Sequence, residues 1–444
     1  MASRSSRDDP KRDWYVWRDP RPDGGPPNNW PSSFAETGDA WTLDEETGQY
    51  YLHSFTPHQP DLNWWNPEVR AAMDEILRFW LDRGADGFRI DVAHRLGKDR
   101  DLRDNPLEIA HHRKHVPGLP HPQLHLNGAE GHVILRAFRR TLDDYDDRMA
   151  VGEAMILDPA ELARYYGEGD ELHLAFNFAL TFLPWAADGF RAATDALEAA
   201  LPPGAWPSVT LSNHDISRIA SRHGDGQARV AAMMVLTLRG TPFLYYGDEL
   251  GLRDVPIPPQ QRRDPDGRDP QRTPMPWAPG PGRGFTTGTP WLPFGPDEVN
   301  VAAQGDDPAS MLTLHRRLLA LRRASPALHR GAYTPLDGPE GVFAYVRHEA
   351  RGEGGRSAAE AVGAPPSRSW ALVDDAVDAS GRGSRDRMLV VLEFTGGGRA
   401  VALPGVPAAG QLEVSTDPGR TPGLVALDPL QLGSHEGVVV RLPG

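Results

Sequence analysis

The stretch NPEVRAAMDEILRFWLDRGADGFRID, residues 66–91, decides how the chain is read. Its first half has a helical period: Val69, Met73, Ile76 and Trp80 share a face. Pro67 sits in the first turn, where its missing N–H costs nothing, and Gly84 closes the helix. Gly87-Phe-Arg-Ile is then a short apolar strand that runs into an acid, Asp91. A helix feeding a strand with a carboxylate at its far end is one unit of a parallel α/β sheet.

The unit recurs. Helices predicted over 133–145, from 158 onward, over 190–201 and over 227–238 lead to strands at 149–153, 173–178, 208–212 and 241–247. Parallel strands joined by helices imply a β/α barrel, in which catalytic groups collect at the strand C-termini. Two further acids fall at such ends: Glu153 in Ala-Val-Gly-Glu-Ala and Asp215 in Leu-Ser-Asn-His-Asp.

The flanks read differently. Residues 1–66 are rich in Pro, Gly, Asp, Asn and Trp and form a loop domain with short strands. From Gly251 to about 307 runs a Pro/Arg/Gly segment too long for a plain connection, hence an expected active-site loop region, followed by a helix over 309–323. Residues 326–444 show short apolar runs at 341–346, 388–394 and 437–442 and predict a β-sandwich domain. Within it the Gly/Ser/Ala/Arg-rich stretch 351–386 reads as a disordered insertion. The central β/α region spans 67–325.

Bulk properties narrow the function. A formal net charge of −14 without a basic stripe argues against nucleic acid, and the 444 residues include no cysteine and so no disulfide. No stretch approaches membrane-spanning length, and residues 1–11 contain no apolar leader core, which points to a cytoplasmic protein. The histidines at 111, 112 and 115 lack an acid or cysteine that would complete a metal site; a solvated loop suffices.

Glycosidic bond cleavage needs a carboxylic acid to protonate the departing oxygen and a carboxylate to attack or to activate water. Arg89 and Asp91 are two apart, so on a strand they face the same way, and the guanidinium would keep Asp91 ionised as a nucleophile. Glu153 has small or apolar neighbours that would raise its pKa and let it hold a proton as general acid. Asp215 beside His214 suits stabilisation of positive charge in the transition state. Each acid taken singly also fits a cap or a hydrogen-bonded turn; their ordered recurrence on successive units favours chemistry. Trp64, Trp65 and Phe285 could stack on sugar faces, though aromatics in loops more often form local core.

At these residues the chain resembles the α-amylase superfamily, glycoside hydrolase family 13, and within it the α-glucosidase and oligo-1,6-glucosidase branch. Gly87-Phe-Arg-Ile-Asp-Val is similar to the segment bearing that family's arginine and nucleophile. Val151-Gly-Glu-Ala is similar to its acid/base segment, and Ser212-Asn-His-Asp to the segment of the transition-state-stabilising aspartate. Gln59-Pro-Asp-Leu-Asn63, Tyr245-Tyr-Gly-Asp-Glu-Leu-Gly251 and Arg272-Thr-Pro-Met-Pro-Trp277 extend the likeness.

The resemblance implies a (β/α)8 barrel with a loop-rich domain B and a C-terminal antiparallel β domain. It also implies a retaining exo-acting α-glucosidase that acts on short oligosaccharides or disaccharides without a cofactor. Asp91, Glu153 and Asp215 would be catalytic, and Arg89, His214 and Arg272 would bind substrate. Residues 8–17 are similar to the family sequence inside domain B, so only strands four to eight are expected here, without the third-strand Asp-x-x-x-Asn-His segment or the first-strand calcium loop. An inactive fragment and a glucosyl transferase or isomerase of sucrose or maltose are the rival expectations. A non-catalytic transporter-associated homologue is disfavoured, because the three acids are present. Val92 stands where the family's valine accompanies α-1,6 preference, although a β-branched residue finishing a strand explains it equally well.

Overall fold

The computed structural model describes residues 2–113, 116, 119, 121–349 and 386–443. The chain divides into two compact units: Met1–Phe178 with Ala200–Ala205, and Ala179–Ala199 with Trp206–Gly444. Apart from residue 386, the stretch 351–386 lies outside the described residues, as does His115.

The first unit opens with a three-stranded antiparallel sheet of β1 (Trp17–Arg18), β2 (Trp41–Asp44) and β3 (Gln49–Leu52), in the order β1-β3-β2. Val16, Trp30, Trp41, Leu52 and Leu102 form its own small core, so the loop-rich start is a packed element. Asn66 caps the helix Pro67–Leu81 by accepting from the Glu68 amide at 2.8 Å. That helix buries Val69, Leu77 and Leu81, whereas Ile76 and Trp80 of the expected face are about half exposed, at 47% and 51%. Apolar residues occupy two sides of this helix: Val69 of the expected face is buried, but further along the burial passes to Leu77 and Leu81.

Three parallel strands follow: β4 (Gly87–Ile90), β5 (Met149–Gly152) and β6 (Leu174–Ala175). Gly87 is required by close approach, because a Cβ there would meet the Met149 carbonyl oxygen at 2.0 Å. Ile90 pairs with Gly152, and Gly152 with Ala175. Asp91 and Glu153 therefore leave adjacent strand ends at the same level.

In the second unit, β7 (Ser208–Thr210) and β8 (Thr241–Phe243) are parallel, which brings the parallel strands among the described residues to the five expected. The helices Asp225–Thr237 and Met311–Ala324 pack in the same core. Beyond them lies a six-stranded antiparallel sheet, ordered β14-β13-β16-β11-β10-β9. Its strands are β9 (Ala332–Leu336), β10 (Val342–His348), β11 (Arg387–Glu393), β13 (Ala409–Ser415), β14 (Gly423–Ala426) and β16 (Gly437–Arg441). A two-stranded sheet pairs β12 (Arg399–Val401) with β15 (Leu430–Leu432). Alternation explains the uninterrupted apolar runs here. Phe343, Tyr345, Val390 and Val439 join the core of the helical region, while Ala344, Val346, Val391 and Val440 join a second core with Val401 and Leu430. A sheet covered on both faces needs apolar residues at every position. No helix among the described residues is long and apolar enough to cross a membrane.

Candidate active site

Glu153 is 5% exposed at the end of β5. Its amide donates to the Ile90 carbonyl at 2.8 Å, and the Ala93 amide donates to its own carbonyl at 2.8 Å, so the backbone on both sides is locked to the β4 end. One guanidinium nitrogen of Arg89 donates to Glu153 Oε2 at 2.6 Å, and another forms an ion pair with Asp91 Oδ1. The Val92 amide also donates to Glu153 Oε2, at 3.3 Å. The Val92 backbone is left-handed, with φ 41° and ψ 47°, an outlier for a β-branched residue.

The Asp91 and Glu153 carboxyl groups are thus joined through a single guanidinium. Burial and the neighbouring Asp91 carboxyl push the Glu153 carboxyl up to about 7, against the opposing pull of Arg89 and the Val92 amide. The Asp91 side chain, by contrast, is 69% exposed. Two carboxyls clamped by one arginine thus differ sharply in environment, one wet and one buried. The apolar neighbours of Glu153 in the sequence pointed to this difference; the shared arginine was legible only for Asp91.

In the second unit the Asp215 amide donates to the Asn213 side chain at 2.9 Å, a local turn that fixes the loop after β7. Arg272 donates to Asp215 Oδ1 at 2.9 Å and to the His214 carbonyl at 2.8 Å. Arg268 also donates to Asp215 Oδ1, at 2.8 Å, and the His214 ring lies 3.4 Å from the same oxygen. All three basic groups thus converge on Oδ1. Asp264 holds Arg268 through a bidentate pair at 2.6 and 2.9 Å and lies 3.6 Å from Arg272.

Arg268 and Asp264 escaped the sequence reading. Their signal was the four-residue acid-to-arginine spacing just before Arg272, in a segment read only as loop. Trp64 packs edge-on against Phe138 and Trp65 against the core of the small sheet, whereas Phe285 stays half exposed beside Phe294. Among the described residues no group of three or more His, Asp or Glu is arranged to hold a metal ion.

Strand-end carboxylates in parallel β/α units, two of them paired with one arginine, suit a glycoside hydrolase type of site. The comparisons agree with that class. The family profile described as "Alpha amylase, catalytic domain" matches residues 1–331, and the chain belongs to the α-amylase family of glycoside hydrolases. It is 40% identical over 377 residues to a probable α-glucosidase of Rhizobium meliloti (strain 1021), covering 78% of this chain and 67% of that protein. It is 35% identical over 396 residues to an oligo-1,6-glucosidase of Parageobacillus thermoglucosidasius, covering 78% and 69%. Among solved structures, the α-glucosyl transfer enzyme XgtA is 32% identical with a TM-score of 0.80, covering 99% of this chain and 79% of that one. A mutant of the trehalulose synthase MUTB is 29% identical with a TM-score of 0.82, covering 99% and 80%.

Proposed function

We propose that the protein is a retaining exo-acting α-glucosidase that releases terminal α-linked glucose from short oligosaccharides by double displacement. The observation that carries this reading is the Arg89 clamp, in which one guanidinium pairs with both an exposed Asp91 and a buried Glu153. Inversion needs the carboxyls about 6.5–9.5 Å apart to admit water, and retention about 5–5.5 Å. Two carboxyls paired with one guanidinium favour the shorter separation.

Asp91 attacks the anomeric carbon while Glu153, protonated near neutrality, gives its proton to the leaving oxygen; a glycosyl ester on Asp91 results. Glu153, now a carboxylate, takes a proton from water, whose oxygen attacks the anomeric carbon and frees Asp91. Asp215 would stabilise the positive charge of the transition state through Oδ2, since its arginine partners occupy Oδ1, and Arg272 and His214 would bind substrate.

The test is the anomer of the first product. Proton NMR during hydrolysis of p-nitrophenyl α-glucoside should show α-glucose first, and Asp91→Asn should lose about 10³-fold or more in turnover. Initial β-glucose, or an Asp91→Asn enzyme of undiminished rate, would sink the mechanism.

A second reading, transfer or isomerisation of glucosyl groups on sucrose or maltose, is favoured by the likeness to the enzymes named for α-glucosyl transfer and trehalulose synthesis. Product profiles on maltose, isomaltose, sucrose and trehalose separate the two.

A further inference from the structure

We infer that Arg218 is a positioning residue which, through the Gln271 carbonyl, holds Arg272 in its grip on Asp215. The inference rests on the reading of Asp215 and Arg272 as parts of the active site, but its contacts lie entirely within the second unit.

Arg218 is completely buried, at 0% exposure. One guanidinium nitrogen donates to the Tyr246 carbonyl at 2.6 Å and another to the Gln271 carbonyl at 2.8 Å. The guanidinium also lies over the rings of Tyr245 and Tyr246, 4.8 and 4.9 Å from their centroids. Its backbone amide donates to Asp254 Oδ1 at 2.9 Å, so the main chain is pinned as well as the side chain. One residue therefore ties the loop after β7, three positions past Asp215, to the loop after β8 and to the segment that bears Arg272.

The Gln271 carbonyl is held twice, because the Tyr245 hydroxyl donates to it at 2.9 Å. The Tyr246 hydroxyl donates to the Thr273 carbonyl at 2.7 Å. Both residues flanking Arg272 are thereby fixed by their carbonyls, leaving the Arg272 side chain to bond Asp215 and the His214 carbonyl. The planar fork reaches two carbonyls on separate loops at once, which a lysine cannot match at the same geometry. A residue that merely satisfied buried carbonyls would stabilise the fold without regard to Arg272; one that aims Arg272 must lose its effect on turnover once Arg272 is gone.

A double-mutant cycle decides between these. Arg218→Met should lower kcat/KM for p-nitrophenyl α-glucoside by about tenfold or more in the parent, and by less than about twofold in an Arg272→Ala background. Arg218→Lys should recover part of the loss, and Tyr245→Phe, which removes the other donor to Gln271, should lose less than Arg218→Met. Equal factors in both backgrounds would overturn the inference. If Arg218→Met fails to fold, the same cycle is run with Arg218→Lys and Tyr245→Phe. Hydrogen exchange gives a readout that does not depend on catalysis: peptides spanning 268–277 should exchange faster in Arg218→Lys than in the parent, and unchanged protection would refute the contact. Full turnover of Asp215→Asn would instead reject the assignment of Asp215, leaving the exchange result to judge Arg218 by itself.

Discussion

Replacing Glu153 by Gln should abolish turnover and at the same time stabilise the protein at alkaline pH. Glu153 is almost fully buried and its carboxyl is pushed up to about 7 by burial and by Asp91. In the unfolded chain an ordinary glutamate ionises near pH 4.3. Between those values the unfolded state gives up its proton and the folded state keeps it, so folding stability falls as pH rises, and above about 7 the penalty is complete. At 1.36 kcal/mol per pK unit the penalty reaches about 3.5 kcal/mol, of which about 2.5 kcal/mol accrues between pH 5 and pH 8. The side-chain amide of the Glu153→Gln variant cannot ionise and escapes it.

The measurement is the difference in thermal midpoint between variant and parent at the two pH values. It should widen by about 5–10 °C at pH 8 for a cooperative unit of roughly 150–250 residues. The parent's kcat/KM should in turn fall through pH 7 as the general acid loses its proton. A midpoint difference that is the same at pH 5 and pH 8, together with a flat alkaline limb, would refute the argument that Glu153 is held protonated.

Three other outcomes follow from local geometry. Lys98 bonds Asp61 at 2.9 Å, and the two side chains are only 8% and 14% exposed. Lys98→Met should cost about 3–5 kcal/mol in chemical denaturation, and adding Asp61→Asn should recover part of it. Burial pushes the Asp61 carboxyl up, but Lys98 and Ser54 outweigh it and hold it below the usual range, so this contribution should be lost as pH falls through the acid range. Gly247 has φ 89°, and a Cβ there would lie 2.5 Å from Leu252 Cδ1 and 2.8 Å from an Arg218 nitrogen; Gly247→Ala should lose more than about 1 kcal/mol and lower the melting midpoint. Asn66→Ala removes the cap of the helix Pro67–Leu81 and should cost about 1 kcal/mol by the same assay.

The five parallel strands were legible because each is a short apolar run that follows a helical stretch, and register along such strands is set by close packing. Asp91 and Glu153 stand one residue past the paired Ile90 and Gly152, so their neighbourhood followed once the strands were placed. The environment of Asp215 did not follow. Arg268 and Arg272 reach it from more than fifty residues away through a segment without periodicity, and neither hydrophobic pattern nor strand alternation constrains such a loop. Arg218 was invisible for a related reason: its bonds go to backbone carbonyls, which leave no trace in side-chain identity. The helix Pro67–Leu81 shows the opposite failure, a strong pattern with two solutions.

Val92 carries a consequence for how this site can change. A left-handed backbone is comfortable for glycine and tolerable for asparagine, but costly for a branched side chain. Its amide nevertheless serves the Glu153 carboxyl, one residue from Asp91. A saturation library at codon 92 would therefore be pulled two ways, toward Gly or Asn under selection for thermal survival and toward whatever side chain suits the sugar under selection for turnover. The position is a point where directed evolution for robustness and for substrate choice should diverge within a single round.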